Sequence, residues 1–202
     1  MSGRRGLFVA VDGPKHVGKT TVLDELVLIL QAAGLTVLRT KEPSSAFDLS
    51  NEQAHTGVDL ARLLADDRAE HVAGTIVPGL AEHDVVITDR YIASMLVFQV
   101  LDGVPFEQVW AMNEDFPLPD LNFVMTASED TINRRLDHRD VQTRFDRQHH
   151  AARELAQYRT VAGFLAGLGV RIVKIANDDD VTLAGTATAM AEPIIDEIGR
   201  RP

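Results

Sequence analysis

The chain has 202 residues, 45% of them apolar and 25% charged, and its formal net charge is −10. This length and composition favour one globular domain with a sizeable core. The absence of cysteine excludes a disulfide framework, a cysteine-based zinc site and a thiol nucleophile. The negative charge argues against general binding of nucleic acid, and no apolar run reaches the length of a transmembrane helix. We therefore expect no nucleic-acid partner, no membrane partner and a cytoplasmic location.

The first predicted elements form a strand, a helix and a second strand. Leu7–Val11 is a continuous apolar run, which is typical of a buried strand. After a turn, apolar residues recur at helical spacing from Lys19 to about Ala33, and Gly34 is a natural helix stop. A second strand is predicted over residues 35–40, which completes a unit of the size of a βαβ motif.

The middle of the chain begins with a polar stretch over residues 43–57 that lacks a clear period. The spacing of apolar residues predicts one long helix over 58–80 and a short buried strand over 85–88. Two further helices are predicted, over 91–101 and 106–113.

The last third continues the alternation of strands and helices. A fourth strand is predicted over 121–126, a helix from about Ser128, another helix over roughly 149–168, a fifth strand over 170–175 and a final helix ending near Arg200. Five short apolar strands that alternate with helices predict one α/β domain, with a mainly parallel sheet covered on both faces.

A phosphate-binding motif lies between the first strand and the first helix. Gly13-x-x-x-x-Gly18-Lys19-Thr20 satisfies G-x-x-x-x-G-K-[ST] in the required context. Its glycines let backbone N–H groups converge on phosphate oxygens, while Lys19 reaches the β/γ-phosphates and Thr20 holds Mg²⁺. We expect Lys19 to be a solvent-facing charge. The predicted ATP-binding residues are Gly13, Pro14, Lys15, His16, Val17, Gly18, Lys19, Thr20 and Thr21.

Charged groups follow the next two strands. Glu42 comes at the end of the second strand, and Asp89 and Arg90 come at the end of the third. Ligands gather at the carboxyl ends of parallel strands, so these groups should lie beside the phosphate loop. A carboxylate there can orient metal-bound water or accept a hydroxyl proton, and the arginine can neutralise an anionic acceptor.

Five arginines are concentrated in and just after the helix that follows the fourth predicted strand. They are Arg134, Arg135, Arg139, Arg144 and Arg147. In an acidic protein such a cluster indicates either a local anion site or a solvated helix face.

Several segments together resemble thymidylate kinases. Residues 40–43 (T-K-E-P) are similar to the T-R-E-P of that family, and residues 63–71 (L-L-A-D-D-R-A-E-H) to its L-F-A-A-D-R-A-x-H helix. Residues 89–99 (D-R-Y-I-A-S-M-L-V-F-Q) follow D-R-Y-x-x-S-x-x-A-Y-Q, and residues 119–121 match P-D-L. Arg135, Arg139 and the triplet Arg144-Phe145-Asp146 resemble the family's arginine-rich lid.

The resemblance implies a fold, an activity and a set of roles. The fold is a three-layer P-loop kinase fold, with a five-stranded parallel sheet and a lid at about residues 138–150, and the assembly is a homodimer. The catalytic residues are Lys19, Glu42, Asp89, Arg90, Arg139 and Arg144. Thr20 and Asp89 support Mg²⁺. The acceptor-binding residues are Glu42, Arg68, Arg90, Tyr91, Ser94, Phe98 and Gln99.

Departures from the family pattern cluster around the acceptor. Lys15 stands where thymidylate kinases place a carboxylate that meets the acceptor sugar, and Leu64 replaces a phenylalanine that stacks on the base. Residues 12–20 (D-G-P-K-H-V-G-K-T) also resemble the loop of viral thymidine kinases, in which a glutamate, here Glu42, is the general base. Lys15 either adds positive charge near the transferring group, or points to solvent or pairs with an acid such as Asp66. Either way we expect thymidine monophosphate to be a poor acceptor or not the natural one.

Three functions are therefore open. The first is phosphoryl transfer from ATP to a nucleoside monophosphate. The second is phosphorylation of a free hydroxyl on a nucleoside or nucleoside analogue. The third is a non-catalytic protein that binds nucleotides, against which the retained arginines argue.

Overall fold

The computed structural model describes residues 5–137 and 151–201, and its centre is a parallel sheet with strand order β2-β3-β1-β4-β5. The strands are β1 (Leu7–Asp12), β2 (Val37–Lys41), β3 (Val85–Asp89), β4 (Leu121–Thr126) and β5 (Arg171–Ala176). The helices are α1 (Lys19–Ala32), α2 (Asn51–Ala54), α3 (Gly57–His71), α4 (Val77–Glu82), α5 (Ile92–Leu101), α6 (Phe106–Ala111), α7 (Glu129–Asp137), α8 (Ala151–Gly167) and α9 (Leu183–Arg200).

Alternate residues of the buried strands supply two separate cores. In β1, Phe8 and Ala10 pack with residues of α3, α5 and α8 on one face of the sheet. Leu7, Val9 and Val11 point to the other face and pack with residues of α1 and α9. Because successive side chains of a strand point to opposite faces, a strand that is apolar throughout needs helices on both sides. The predicted three-layer α/β architecture is confirmed.

The β3-β1 pairing brings together the two strand ends that matter most for function. Val11 lies beside Asp89 in register, and Arg90 N–H donates to the Val11 carbonyl over 2.9 Å. On the far side of β3, Lys41 pairs with Asp89 in register. The phosphate loop, Glu42 and the Asp89–Arg90 pair therefore share one edge of the sheet, as the positions of the motifs predict.

The long helix predicted over 58–80 is divided in the structure. It runs as α3, a π-helical turn over Val72–Ile76, and α4. Pro78 lies in the first turn of α4. A proline has no N–H to donate and its ring crowds the carbonyl four residues earlier, so a wider turn before it relieves both problems.

Other boundaries differ from the predicted ones by a few residues. The second strand is Val37–Lys41 instead of 35–40, because Leu35 N–H bonds to the Leu30 carbonyl and closes the end of α1. The stretch 43–57 contains the short helix α2. Among the described residues, no helix combines the length and the apolar character that crossing a membrane requires.

Candidate active site

The loop between β1 and α1 has the backbone geometry of a phosphate cradle. Gly13 has φ +151°, and a Cβ there would lie 2.5 Å from the Met125 carbonyl oxygen. Gly18 has φ +93°, and a Cβ there would lie 2.6 Å from Asn177 Nδ2. Both positions therefore need glycine for conformation and for space. The loop ends at the N-terminus of α1, where unpaired N–H groups and the helix dipole favour an anion.

Lys19 is buried, and the expectation of a solvent-facing side chain is wrong. Its Nζ donates to the carbonyl oxygens of Gly13 (3.0 Å) and Pro14 (2.8 Å), so the side chain folds back along the loop. The reason is that Lys19 begins α1 and lies inside the curve of the loop. Burial, followed by the charge of Arg90, lowers the pKa of Lys19 to about 7.

Thr20 and Asp89 meet beside the loop, with Thr20 Oγ1 donating to Asp89 Oδ2 over 3.4 Å. A hydroxyl and a carboxylate are hard oxygen ligands of the type that Mg²⁺ accepts, and Mg²⁺ at phosphates uses few protein ligands. The pair therefore fits a magnesium ion shared with ATP. Within residues 5–137 and 151–201, no cluster of three or more histidine or acidic side chains forms an all-protein metal site.

Arg90 is held at the boundary between loop and cavity by an unusual backbone. Its φ is +70°, a left-handed conformation that a non-glycine residue adopts only when its surroundings enforce it. Its N–H is held by β1, and Thr88 Oγ1 donates to the Arg90 carbonyl over 2.8 Å. Its Nη1 donates to the Gly13 carbonyl, Ser94 Oγ and Tyr158 Oη over 3.2–3.4 Å. Arg90 also lies over the Phe98 ring, 5.0 Å from its centroid.

Asp12 is a buried hub beneath Arg90 that the sequence motifs did not single out. Its Oδ1 accepts from the backbone N–H groups of Tyr91 (3.0 Å) and Ser94 (2.9 Å) and from the Ser94 hydroxyl. Its Oδ2 accepts from Asn122 Nδ2 over 2.9 Å. The carboxylate thus pins the start of α5 to the end of β1 and orients the serine that contacts Arg90.

A second buried network surrounds Glu42. Its Oε2 accepts from Nε (2.9 Å) and Nη2 of Arg68, and its Oε1 lies 3.2 Å from His71 Nδ1. Burial alone would raise the pKa of Glu42, but the charge of Arg68 and the hydrogen bonds from His71 and Arg68 lower it. Arg68 Nη1 donates to Asn113 Oδ1, and His71 Nε2 lies 2.6 Å from Thr40 Oγ1.

All predicted acceptor-binding residues line one open cavity of about 140 Å³. Its lining residues are Lys15, Glu42, Pro43, Glu52, Leu64, Asp67, Arg68, Arg90, Tyr91, Ser94, Met95, Phe98 and Gln99. Gln99 is buried, and its Oε1 has no hydrogen-bond partner among residues 5–137 and 151–201. A buried acceptor without a partner is costly, and a ligand N–H group in this cavity would satisfy it.

A second cavity, of about 370 Å³, lies on the other side of the phosphate loop. His16, Gly18, Thr21 and Arg135 line it. Arg135 donates to the Val17 carbonyl (3.2 Å) and to Asp179 Oδ1 (2.8 Å). Because this cavity adjoins the helix N-terminus, it suits the nucleoside part of a donor whose phosphates occupy the loop.

Lys15 belongs to the acceptor cavity as well as to the loop. Asp66, suggested as its partner, lies on the exposed face of α3 and is not a lining residue, whereas the neighbouring Asp67 is. Glu154 of α8 is an acid that does interact with Lys15: its Oε2 accepts from the backbone N–H of Lys15 over 3.0 Å. Burial raises the pKa of Glu154, and the Lys15 bond and the charges of Arg90, Lys15 and Lys19 oppose that rise.

Part of the predicted site lies outside the described residues, namely Arg139, Arg144 and the lid at 138–150. Sequence reasoning missed five residues that hold the site together: Asp12, His71, Asn113, Glu154 and Tyr158. Asp12 and His71 could have been predicted, since they lie in the motifs quoted in the sequence analysis. Asn113, Glu154 and Tyr158 carry no local signal.

Comparison with known proteins gives a consistent result. The family model for thymidylate kinase matches residues 11–166. A protein named thymidylate kinase from Xanthomonas oryzae pv. oryzae is 32% identical over 200 residues, which cover 96% of this chain and 86% of that protein. Another of that name, from Bifidobacterium longum, is 37% identical over 178 residues, covering 79% of this chain and 82% of that protein.

Proposed function

The chain belongs to the thymidylate kinase family, and from that premise we propose that it phosphorylates a pyrimidine nucleoside 5′-monophosphate whose base carries an N3–H group. The coarser activity, phosphoryl transfer from ATP to a nucleoside monophosphate, follows from family membership. Thymine and uracil carry the N3–H group, whereas cytosine has an acceptor at that position. Thymidine monophosphate is therefore the first acceptor to test.

One observation supports this choice of substrate: the cavity is lined both by an arginine and by a hydrogen-bond acceptor that has no partner among the described residues. Gln99 Oε1 is buried and has no partner within the part of the chain that the structure describes, so it favours a base that donates a hydrogen bond. The three side-chain hydrogen bonds of Arg90 to described residues all come from Nη1. Its Nη2 and Nε remain for a phosphate group, in the fork geometry that phosphate favours. Arg68, in contrast, is engaged by Glu42 and Asn113.

The reaction follows from these positions. The loop amides and Lys19 bind the ATP phosphates, and Thr20 and Asp89 would hold Mg²⁺, which supplies charge neutralisation at the β- and γ-phosphates. Arg90 orients the acceptor phosphate, one of whose anionic oxygens attacks the γ-phosphorus. The new P–O bond forms as the bond between that phosphorus and the bridging oxygen breaks, and ADP leaves. No proton must be removed from the attacking oxygen, so Glu42 acts here by positioning Arg68.

The choice between a nucleotide and a nucleoside acceptor depends on the same residues. A free hydroxyl needs a base to take its proton. Glu42 has both oxygens engaged and a lowered pKa, which makes it a weak base. Its environment supports a monophosphate acceptor over a nucleoside.

The test is an acceptor panel. Purified enzyme with ATP and Mg²⁺ is given thymidine monophosphate, deoxyuridine monophosphate, deoxycytidine monophosphate and thymidine. Anion-exchange chromatography follows the phosphorylated product, which is a diphosphate for the first three and a monophosphate for thymidine. We expect turnover of the first two and none of thymidine. Phosphorylation of thymidine at a comparable kcat/KM would overturn the proposal.

Two matched variants connect the panel to the cavity. Gln99→Leu removes the orphaned acceptor and should bring thymidine and deoxycytidine monophosphates closer in kcat/KM. Arg171→Ala removes an arginine that pairs with Glu197 far from the loop, and it should leave turnover unchanged.

The assembly and the location remain predictions. We propose a homodimer in the cytoplasm, as the family resemblance implies. Light scattering on the eluting protein distinguishes a dimer from the 22.1 kDa monomer.

A further inference from the structure

Helix α8 places a buried carboxylate against the phosphate loop. Glu154 has only 4% of its surface exposed, and its Oε2 accepts from the backbone N–H of Lys15 over 3.0 Å. The two residues are 139 positions apart, so this contact is a tertiary one. A buried carboxylate persists only where charges and hydrogen bonds compensate its loss of water.

The positive charges that compensate the burial of Glu154 belong to the residues around the phosphoryl-transfer site. Lys15, Lys19 and Arg90 all act electrostatically on Glu154, and Glu154 in turn acts on Lys19 and Arg90. The carboxylate therefore lies where the loop, the acceptor arginine and α8 converge. When ATP binds, its negatively charged phosphates neutralise these cations. The negative charge of Glu154 then repels the phosphates and is unfavourable to binding.

Tyr158 lies one helical turn beyond Glu154, on the same face of α8. Its Oη lies 2.9 Å from Ser94 Oγ and accepts from Arg90 Nη1 over 3.4 Å. Its ring packs edge-on against Phe98, with 6.3 Å between centroids. One helix thus touches the donor side of the site through Glu154 and the acceptor side through Tyr158.

We propose that Glu154 is a positioning residue for phosphoryl transfer, which fixes the phosphate loop at Lys15 and, with Tyr158, ties the loop and Arg90 to one rigid helix. The role rests on the proposed function. The role depends on the hydrogen bond that Glu154 accepts, and the negative charge of Glu154 is not required once ATP is bound.

Three substitutions separate the hydrogen bond from the charge. Glu154→Gln keeps an oxygen for Lys15 N–H and loses the charge. Glu154→Asp keeps the charge and withdraws the oxygen by one methylene. Glu154→Met removes both. Glu192→Gln, on the exposed face of α9, is the matched control.

The dissociation constant of ATP, measured by calorimetry without acceptor, is the decisive readout. We expect Glu154→Gln to bind ATP at least as tightly as wild type, and Glu154→Asp and Glu154→Met to bind about tenfold more weakly, the net contribution of one ordinary hydrogen bond. A purely structural role would lower the melting temperature of all three without this ordering. If Glu154→Met does not fold, the contrast between glutamine and aspartate decides.

Tyr158→Phe tests the second contact. It keeps the ring and removes the hydroxyl, so we expect a higher KM for the acceptor and an unchanged dissociation constant for ATP. Equal ATP affinity in Glu154→Gln and Glu154→Asp would overturn the inference, even in an active enzyme. Wild-type protein that binds ATP but phosphorylates no acceptor would instead refute the proposed function.

Discussion

Glu42→Gln is the substitution that most directly separates a positioning role from a catalytic one. The amide keeps the size of Glu42 and can still accept one hydrogen bond from Arg68, but it removes the only negative charge among the contacts of that guanidinium in its described surroundings. The side chains of Arg68 and Glu42 have exposed fractions of 4% and 7%. Water therefore cannot replace the lost charge.

The magnitude follows from this burial. Breaking a buried ion pair by removing one partner costs about 3–5 kcal/mol, because it leaves an uncompensated charge. For a domain of this size, 1 kcal/mol shifts the melting temperature by roughly 2–4 °C, so we expect a decrease of about 6–20 °C. The exposed pair of Arg171 and Glu197 provides the control, since Glu197→Gln should change stability by less than about 1 kcal/mol.

The assay combines thermal unfolding with kinetics. If Glu42 positions Arg68, Glu42→Gln should raise the KM of the acceptor, while kcat falls by less than about tenfold. If Glu42 is a general base, kcat should fall by about 10²–10⁴ with little change in stability. The second pattern would refute the reasoning. Replacing both partners, as Glu42→Leu with Arg68→Met, should recover much of the lost stability, because no charge is left buried.

The pH dependence of stability gives a further check on the same pair. The folded pKa of Glu42 is lowered, so its contribution to stability is complete above the unfolded value near 4.5 and is lost as the pH falls through the folded pKa. The difference in unfolding free energy between wild type and Glu42→Gln should therefore shrink below about pH 4.5. A difference that stays constant down to pH 3 would contradict this.

Other residues of the site give three further predictions. Burial lowers the pKa of Lys19 to about 7, so at pH 8 binding of ATP should take up about 0.9 proton in wild type and none in Lys19→Arg, measured by calorimetry in two buffers of different ionisation enthalpy. Arg90→Lys should raise the KM of the acceptor at least about tenfold and leave that of ATP nearly unchanged, because an ammonium cannot bind phosphate in a bidentate manner. Asp12→Asn should lower the unfolding free energy, measured in urea, by about 1–3 kcal/mol. If the new amide oxygen accepts from Ser94 and Tyr91, the new amide N–H groups face Asn122 Nδ2, which is itself a donor, so that hydrogen bond is lost.

The layout of the fold could be predicted from the sequence because its signals are local. Apolar runs such as Leu7–Val11 and the helical spacing after Lys19 mark strands and helices without reference to the rest of the chain. The π-helical turn at Val72–Ile76 could not be predicted in this way. Its apolar spacing matches that of an ordinary helix, and Pro78 predicts a disturbance without specifying its form.

The residues of the site also divide into those that a local sequence motif marks and those that depend on tertiary packing. Lys19, Glu42 and Arg90 belong to contiguous motifs, and the carboxyl edge of the sheet brings them together. The burial of Lys19 was not predictable, because it depends on how the loop closes over its own carbonyls. The contacts of Glu154 and Tyr158 depend on how α8 packs against α5 and the loop, which no local pattern encodes.

Lys15 is a position at which this chain departs in sequence from the pattern of the family that it resembles, and its surroundings indicate where a functional effect should be sought. On the donor side, Glu154 of α8 accepts a hydrogen bond from the backbone N–H of Lys15 and interacts electrostatically with its side chain, so the loop is held from α8. On the acceptor side, Lys15 lines the cavity, where an ammonium can donate to a sugar hydroxyl but cannot accept from it. We therefore expect any cost of the exchange to appear in the KM for the acceptor and not in the dissociation constant of ATP.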